Sequence, residues 1–442
     1  MKRILFFSLF FTQFTYSQQI DSTQVNQYIK QLVEQEVKKE LAKRDSATVK
    51  VEKNKLLGDR IKFSGTGLLR LGEWDMHQSS IDPTTGITKK AHTRFWSRYN
   101  FYFNIDAKLT SSLDVHARIR TGNKQYSFIT FGENTDERFN IILDEFWLNW
   151  NPKGYVLRLG RQSASSVWSN QKGAQFDIPT HDGFTVVKDY VFNDGLMLTP
   201  KLAYFVEYYR NNTSYKRQGK VYGAVVMLSK NTTNVFWKAE SGIIKAEQLP
   251  NRYVNDLAYS PSGIGYHDGD LASFYSIWTN QVAYTFKEIR NLTFKVDYYY
   301  NLKNYKKNPI SNMIYDSNGN NSFADPMQYD NATAPNFTKQ NQGIVASIAT
   351  GNLSIPKNIW LEVSYLYMEK YAAMDYFAQY DYARWTSTNI KGPEFSAGYR
   401  INKFLQTKMR YFVTQEIKGL DGINPDYRRA ANRFRFDLNI IF

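Results

Sequence analysis

The residues best equipped to act on a solute are arginines and lysines spaced at alternate positions within short segments: Arg70, Arg98, Arg118, Arg120, Arg400, Lys408, Arg410, Arg433 and Arg435. A guanidinium stays charged and presents donors in a rigid fork, so a row of them attracts carboxylates, phosphates and acidic sugars. Bond-making chemistry has a thinner basis. The histidines are His77, His92, His116, His181 and His267, and there is no cysteine. No HExxH, zinc spacing, GxSxG or phosphate-cradling glycine motif occurs, so the expectation is no enzyme, no cofactor and no metal. The stretch "YDSNGNNSFAD" places Asp316, Asn318, Asn320 and Asp325 at a calcium-loop-like spacing. It lacks the closing bidentate glutamate, so a solvated loop is the favoured reading.

The elements that carry the basic residues are strands. The chain closes on "ANRFRFDLNIIF", with Arg433, Arg435 and Asp437 on one side and Phe434, Phe436, Leu438, Ile440 and Phe442 on the other. Successive strand side chains point to opposite faces, so this period of two separates a charged face from a greasy one. The same alternation recurs in about sixteen segments: near 61–73, 94–106, 113–120, 139–150, 155–161, 183–193, 196–210, 219–230, 233–246, 272–287, 291–304, 341–351, 357–371, 393–402, 404–416 and 431–442. Many run to roughly ten residues, the length a tilted strand needs to cross a bilayer core.

Tight turns such as "LTSS", "NPKG", "NDG" and "NKF" alternate with long polar stretches. That order, short then long, is the order of a membrane barrel with turns at one rim and loops at the other. Trp150, Tyr155, Trp360, Phe404 and Phe442 lie where short turns meet strands and are expected to form an interfacial girdle. The fold class predicted is all-β: a transmembrane antiparallel up-and-down β-barrel of about 16 strands over 61–442, preceded by a short N-terminal α-helix.

Composition agrees. Aromatic residues make up 16%, an excess that suits strands and membrane-interface belts. After the N-terminus no run of about eighteen apolar residues occurs, which excludes helical spans and leaves a barrel open. The net charge of +15 is scattered along the strands instead of clustered, so nucleic acid is not an expected partner. Residues 1–17, with Lys2 and Arg3 ahead of an apolar core from Ile4 to Phe14, have the form of a secretory signal peptide. In 18–60, Val25, Ile29, Leu32, Val33, Val37 and Leu41 make a helical stripe before a charged linker. Two readings stand for that stripe: a short self-associating coil, with a trimer favoured, or a helix that packs on its own barrel or simply frays.

These features together resemble a known family. The signal segment, the long alternating strands, "LDVHARIRTG" at 113–122, "DEFWLNWNPKGYVLRLGRQ" at 144–162 and the closing Phe442 look like Gram-negative outer-membrane porins, most of all the putative porin and alginate-export-like barrels of the Bacteroidetes. The resemblance spans residue 61 to the end. It implies an outer-membrane location with the helix in the periplasm, contact with membrane lipid, and recognition of the last strand, with Phe442, by the barrel-assembly machinery. It also implies an inward-folding third loop, here 162–182, in which Lys172, Asp177 and His181 would set the field of a constriction.

If the apolar face is outward, the basic set gathers on one wall, because the first and last strands are neighbours in a closed sheet. Alternation answers it only in part, with Asp106, Asp114, Glu394 and Asp437. On the middle strands Lys188, Lys201, Lys238 and Lys295 are answered by Glu207, Glu240 and Asp297. The function expected is passive diffusion of small hydrophilic solutes with a preference for anions. The alternatives are a substrate-specific channel for an oligosaccharide or acidic sugar, and a non-conducting structural or adhesive barrel.

Overall fold

The computed structural model describes residues 60–442 except 78–79, 82–87, 90–91, 123–128, 131–140, 178–179, 209–217, 248–273, 306–336, 375–376, 380–381, 383–387, 419–427 and 429. The signal segment, the amphipathic stripe and the Asp316–Asp325 loop therefore lie outside the described residues. Sixteen long strands follow one another: β1 Ile61–His77, β2 His92–Lys108, β3 Leu113–Thr121, β4 Ile141–Trp150, β5 Tyr155–Ser163, β6 Thr180–Lys188, β7 Leu196–Tyr208 and β8 Gln218–Asn231 make the first half. The second half is β9 Val235–Glu247, β10 Tyr275–Phe286, β11 Leu292–Asn301, β12 Gln342–Gly351, β13 Ile359–Met368, β14 Ile390–Arg400, β15 Leu405–Glu416 and β16 Ala430–Ile441.

Each strand pairs antiparallel with its sequence neighbours, and β16 pairs with β1 from Thr66↔Ile441 to His77↔Ala431, closing the ring. Closure leaves no open edge, so the ladder satisfies the backbone groups that hydrocarbon could not. Phe442 completes it: Gly65 donates to the Phe442 carbonyl at 3.0 Å, and the Phe442 amide donates back to Gly65 at 3.1 Å. The connections alternate short and long as the sequence predicts, and both ends of the described chain lie at the short-turn rim.

The outward face is apolar. Phe63, Leu143, Leu159, Leu202, Val282, Ile348 and Leu361 all stand exposed along it, as residues that meet hydrocarbon do. Trp150, Tyr155, Phe404 and Phe442 are exposed near the short-turn rim. Trp360 corrects the expected girdle. It is buried and faces inward, with the Lys408 ammonium 4.8 Å from its ring centre, because its neighbours Ile359 and Leu361 take the outward positions. Lys188 corrects the inner-face assignment in the opposite sense. Its strand turns Val187 inward, and Lys188 lies over the exposed Tyr155 ring at 4.3 Å.

Two β-bulges break the period of two where the charges are densest. On β1 the register slips between Arg70 and Glu73 against both neighbours, so Leu71 is left as the extra residue. Glu73 then turns inward and Trp74 outward, the reverse of simple alternation. Gly72 is needed at this kink, since a Cβ there would lie 2.4 Å from the Trp74 ring. On β4 the slip falls at Asp144, so both Asp144 and Glu145 are buried on the inner side.

Gly160 on β5 shows how tightly the ring closes. It has φ +128°, and a Cβ would lie 2.3 Å from the Phe146 carbonyl oxygen of β4. Gly160→Ala is expected to cost about 1–3 kcal/mol through backbone strain and a displaced strand. The check is the temperature at which the detergent-solubilised barrel loses its folded gel mobility, which should fall.

Candidate pore and its basic wall

Two long loops fold into the ring. After β5 the chain makes a short 3-10 turn at Ala164–Ser166 and carries Val167 and Trp168 into the interior, where both are fully buried. The following residues are tied to the far wall strand by strand. The Ser169 amide and hydroxyl donate to Glu240 of β9 at 2.9 and 3.1 Å. The Gln171 amide and side chain donate to Asp297 of β11 at 2.5 and 3.0 Å, and the side chain also reaches the Val345 carbonyl of β12 at 2.9 Å. Lys172 ends the crossing between Glu362 of β13 at 2.5 Å and Glu394 of β14 at 3.3 Å.

The described residues of the seventh long loop, 369–389, pack on top of this crossing. Gln175 donates to the Ala372 carbonyl at 2.9 Å, Asp177 to the Phe377 carbonyl at 3.0 Å, and Gln379 back to Gly173 at 3.0 Å. Between the loops and the wall lies an apolar core that includes Trp168, Phe176, Phe205, Ile244, Ile277, Tyr299, Leu366, Tyr371 and Phe377. Burial of this kind gives about 25 cal/mol per Å² of apolar area, so the two loops are held as a packed unit. The interior along β7 to β13 is thereby occupied by buried side chains.

On the opposite wall Arg98, Arg118 and Arg410 are partly exposed, whereas Arg70, Arg120, Arg400, Arg433 and Arg435 are buried. Glu73, re-aimed by its bulge, meets four guanidinium groups: Arg435 at 3.0 Å, Arg70 at 3.3 Å, Arg98 at 3.6 Å and Arg433 at 3.7 Å. Arg70 is also paired with Asp437 at 2.8 Å. Around the ring, Arg118 contacts Asp144 and lies 2.7 Å from Glu145, while Arg120 donates to Asp144 at 2.7 Å. Arg410 donates to Glu394 at 2.7 Å, Arg400 donates to the Lys403 carbonyl, and Lys408 covers Trp360.

The nine basic residues read from alternation thus share the inner side. They gather into three groups, at β16–β1–β2, at β3–β4 and at β14–β15. Their carboxylate partners correct the sequence reading: Glu73, Asp144 and Glu145 join Asp437 and Glu394, and all three arrive through bulges or their flanks. Pairing is therefore closer than simple alternation implied.

Of the three constriction candidates, only Lys172 is part of the crossing, and it is already paired. Asp177 is exposed beyond it. His181 does not face a pore: it is fully buried on β6 among Phe205, Phe377 and Phe176, with ring centres 5.1, 4.9 and 5.7 Å away. On the middle strands the Lys201–Glu240 pair forms at 3.1 Å, whereas Asp297 is satisfied by Gln171, Gln281 and Tyr299.

Arg158 is an inner-wall residue that alternation did not single out. Its guanidinium lies 3.9 Å from the Trp147 ring centre, and the other neighbour of that ring is His116, stacked at 4.6 Å. Its signal was present in "YVLRLGRQ", where Arg158 alternates with exposed Leu159, but the glycine beside it blurs the period. Among the described residues no group of side chains could hold a metal ion.

Glu73 is the keystone of the closure cluster. Glu73→Gln keeps the shape and removes the one carboxylate shared by four guanidiniums, which is expected to cost about 3–5 kcal/mol as in other broken buried ion clusters. A lowered unfolding temperature in detergent checks it.

Residues 257–442, which contain β10 to β16, match the model of a family described as putative porin. No curated protein has a sequence that matches this chain. Among solved structures, OprB of Pseudomonas putida is similar at 9% identity and a TM-score of 0.48, over 87% of this chain and 94% of that one. The channel DcaP of Acinetobacter baumannii is similar at 12% identity and a TM-score of 0.43, over 87% and 98%. Salmonella typhi OmpF follows at 11% and 0.42, over 85% and 97%. The chain is thus a closed antiparallel β-barrel of sixteen long strands among the described residues, and its C-terminal part is similar to a family described as putative porin.

Proposed function

We propose that the protein is a diffusion channel for small hydrophilic solutes with a preference for anions, and that solutes travel along the basic wall. The observation that carries this reading is the division of the interior. Two anchored loops fill the side from β7 to β13, while Arg98, Arg118 and Arg410 keep side-chain exposures of 21, 18 and 14% on the other. In a narrow space bounded by low-dielectric walls, guanidiniums raise the local anion concentration. Close pairing with carboxylates moderates the field, so the preference is one of degree.

Reversal potential across a planar bilayer in a salt gradient tests it: the sign for anions supports the reading, and the sign for cations refutes it. The packed loops favour a second reading, a non-conducting envelope barrel, which correctly inserted but electrically silent protein would support. Block of the current by one acidic sugar at low concentration would instead mark a substrate-specific channel. The helical stripe in 18–60 favours a homotrimer with that helix in the periplasm, and Phe442 remains the proposed signal to the assembly machinery.

A further inference from the structure

The short-turn rim carries a repeated pairing of a cation with an exposed apolar residue. Lys108 adjoins Leu109, Arg290 follows Ile289, Lys357 lies two residues from Ile355, and Lys403 two from Ile401; all eight side chains are exposed. Lys188 repeats the theme through Tyr155 and Tyr190, with its ammonium 4.3 and 5.8 Å from their ring centres. Six of the seven short connections contain or adjoin a lysine, and the seventh has Lys230 two residues before it. Within these connections three carboxylates, Asp189, Asp194 and Glu288, stand against five cations, Lys153, Lys287, Arg290, Lys357 and Lys403. Asp194 takes Lys230 at 3.0 Å, a hydrogen bond that holds the Asp194 carboxyl below its usual range.

Backbone conformation supplies a separate argument. Lys153, Arg290 and Lys357 have φ of 48, 48 and 61°, in the left-handed region where glycine and asparagine fit best. Three turns therefore place a long cation where a smaller residue would fold more easily. Local conformational ease does not account for that placement, and strain of this sort points to a role for the side chain.

We propose that this rim is a binding belt for anionic phospholipid headgroups of the leaflet that meets the short turns. The apolar members enter the acyl boundary, and the cations meet phosphodiester groups at headgroup depth. This is the division of labour expected of an interfacial surface, with about 1 kcal/mol for each Lys or Arg near an anionic leaflet. The proposal rests on the membrane-barrel reading, and conductance measured on the same preparations separates the two.

The test is native mass spectrometry of the full-length protein in detergent, titrated with equal amounts of phosphatidylglycerol and phosphatidylethanolamine. About threefold or greater excess of phosphatidylglycerol adducts is expected at low salt, collapsing toward parity near about 0.5 M salt because the contacts are exposed. Lys153→Asn, Arg290→Asn and Lys357→Asn, combined with Lys403→Gln, should bring the ratio to about one, without lowering the unfolding temperature or changing conductance. Equal binding of the two lipids to the wild type would overturn the proposal. So would an excess that survives in the variant or in high salt, or co-sedimentation with purified murein sacculi in the absence of any lipid preference. Should the combined variant fail to fold, the wild-type salt titration and the single Lys403→Gln protein, with a partial loss expected, decide the matter.

Discussion

Asp297→Ala is expected to loosen the third loop on the wall. The Asp297 carboxylate accepts from the Gln171 amide, the Gln171 and Gln281 side chains and the Tyr299 hydroxyl, all in a site closed to solvent. Truncation leaves four buried donor groups without this acceptor, and each unsatisfied group costs about 1–3 kcal/mol. Gln171 keeps its side-chain contacts with the Val345 carbonyl and the Ser347 hydroxyl, but its backbone amide loses its partner, so the middle of the crossing is weakened and not freed outright. Single-channel conductance should rise about twofold, with added low-frequency noise, as the loop leaves the lumen for part of the time. Trypsin supplies an independent reading. In the wild type Lys172 lies between Glu362 and Glu394 and should resist cleavage; in the variant a cut after Lys172 should appear while the barrel keeps its folded gel mobility.

The second large effect is on selectivity. Replacing Arg98, Arg118 and Arg410 together by Gln removes three of the partly exposed cations of the basic wall and leaves Glu145, Asp144 and Glu394 with fewer partners. The local potential should become much less positive. The anion-to-cation permeability ratio is expected to fall by about three- to tenfold at about 0.1 M salt, and by much less at about 1 M, where the screening length shrinks to a few ångströms. Measurement of reversal potentials at both concentrations checks the pair of outcomes, and an unchanged ratio at low salt would place the path elsewhere.

The ring itself was legible because its rule is local. Lipid on one face and interior on the other impose a period of two, and "FRFDLNIIF" or "LTFKVDYYY" shows that period without reference to any distant residue. The order of turns and loops followed for the same reason. What alternation misplaced lies where one residue more or less changes the parity. Leu71 and Asp144 are such residues, and they decide that Glu73, Asp144 and Glu145 stand among the arginines. Gly72, next to one slip, is the trace the sequence left, as small residues in strands often mark a bend.

The interior loops were legible only by resemblance. Gln171 meets Val345 across 174 positions of chain, and no periodicity connects them. The inward fold of 369–389 had no such guide. Phe377 and Tyr382 fall in a stretch read only as a long polar loop, and Tyr371 at the end of a predicted strand; all three are buried, with Phe377 against Phe176 and Tyr382 against Phe412. His181 failed as a constriction residue on the same ground, since its surroundings come from β7 and from both loops.

The proposed path requires one side of the ring's interior to be sealed and the other to conduct. The chain has no cysteine, so a single introduced one is a unique probe. Asn104→Cys on β2 and Thr279→Cys on β10 both point inward, the first partly exposed and the second buried beneath the loops. With the protein in a planar bilayer, a charged methanethiosulfonate reagent should reduce the current through Asn104→Cys and leave Thr279→Cys unaffected. Equal block of both, or block of Thr279→Cys with none at Asn104→Cys, would contradict the account.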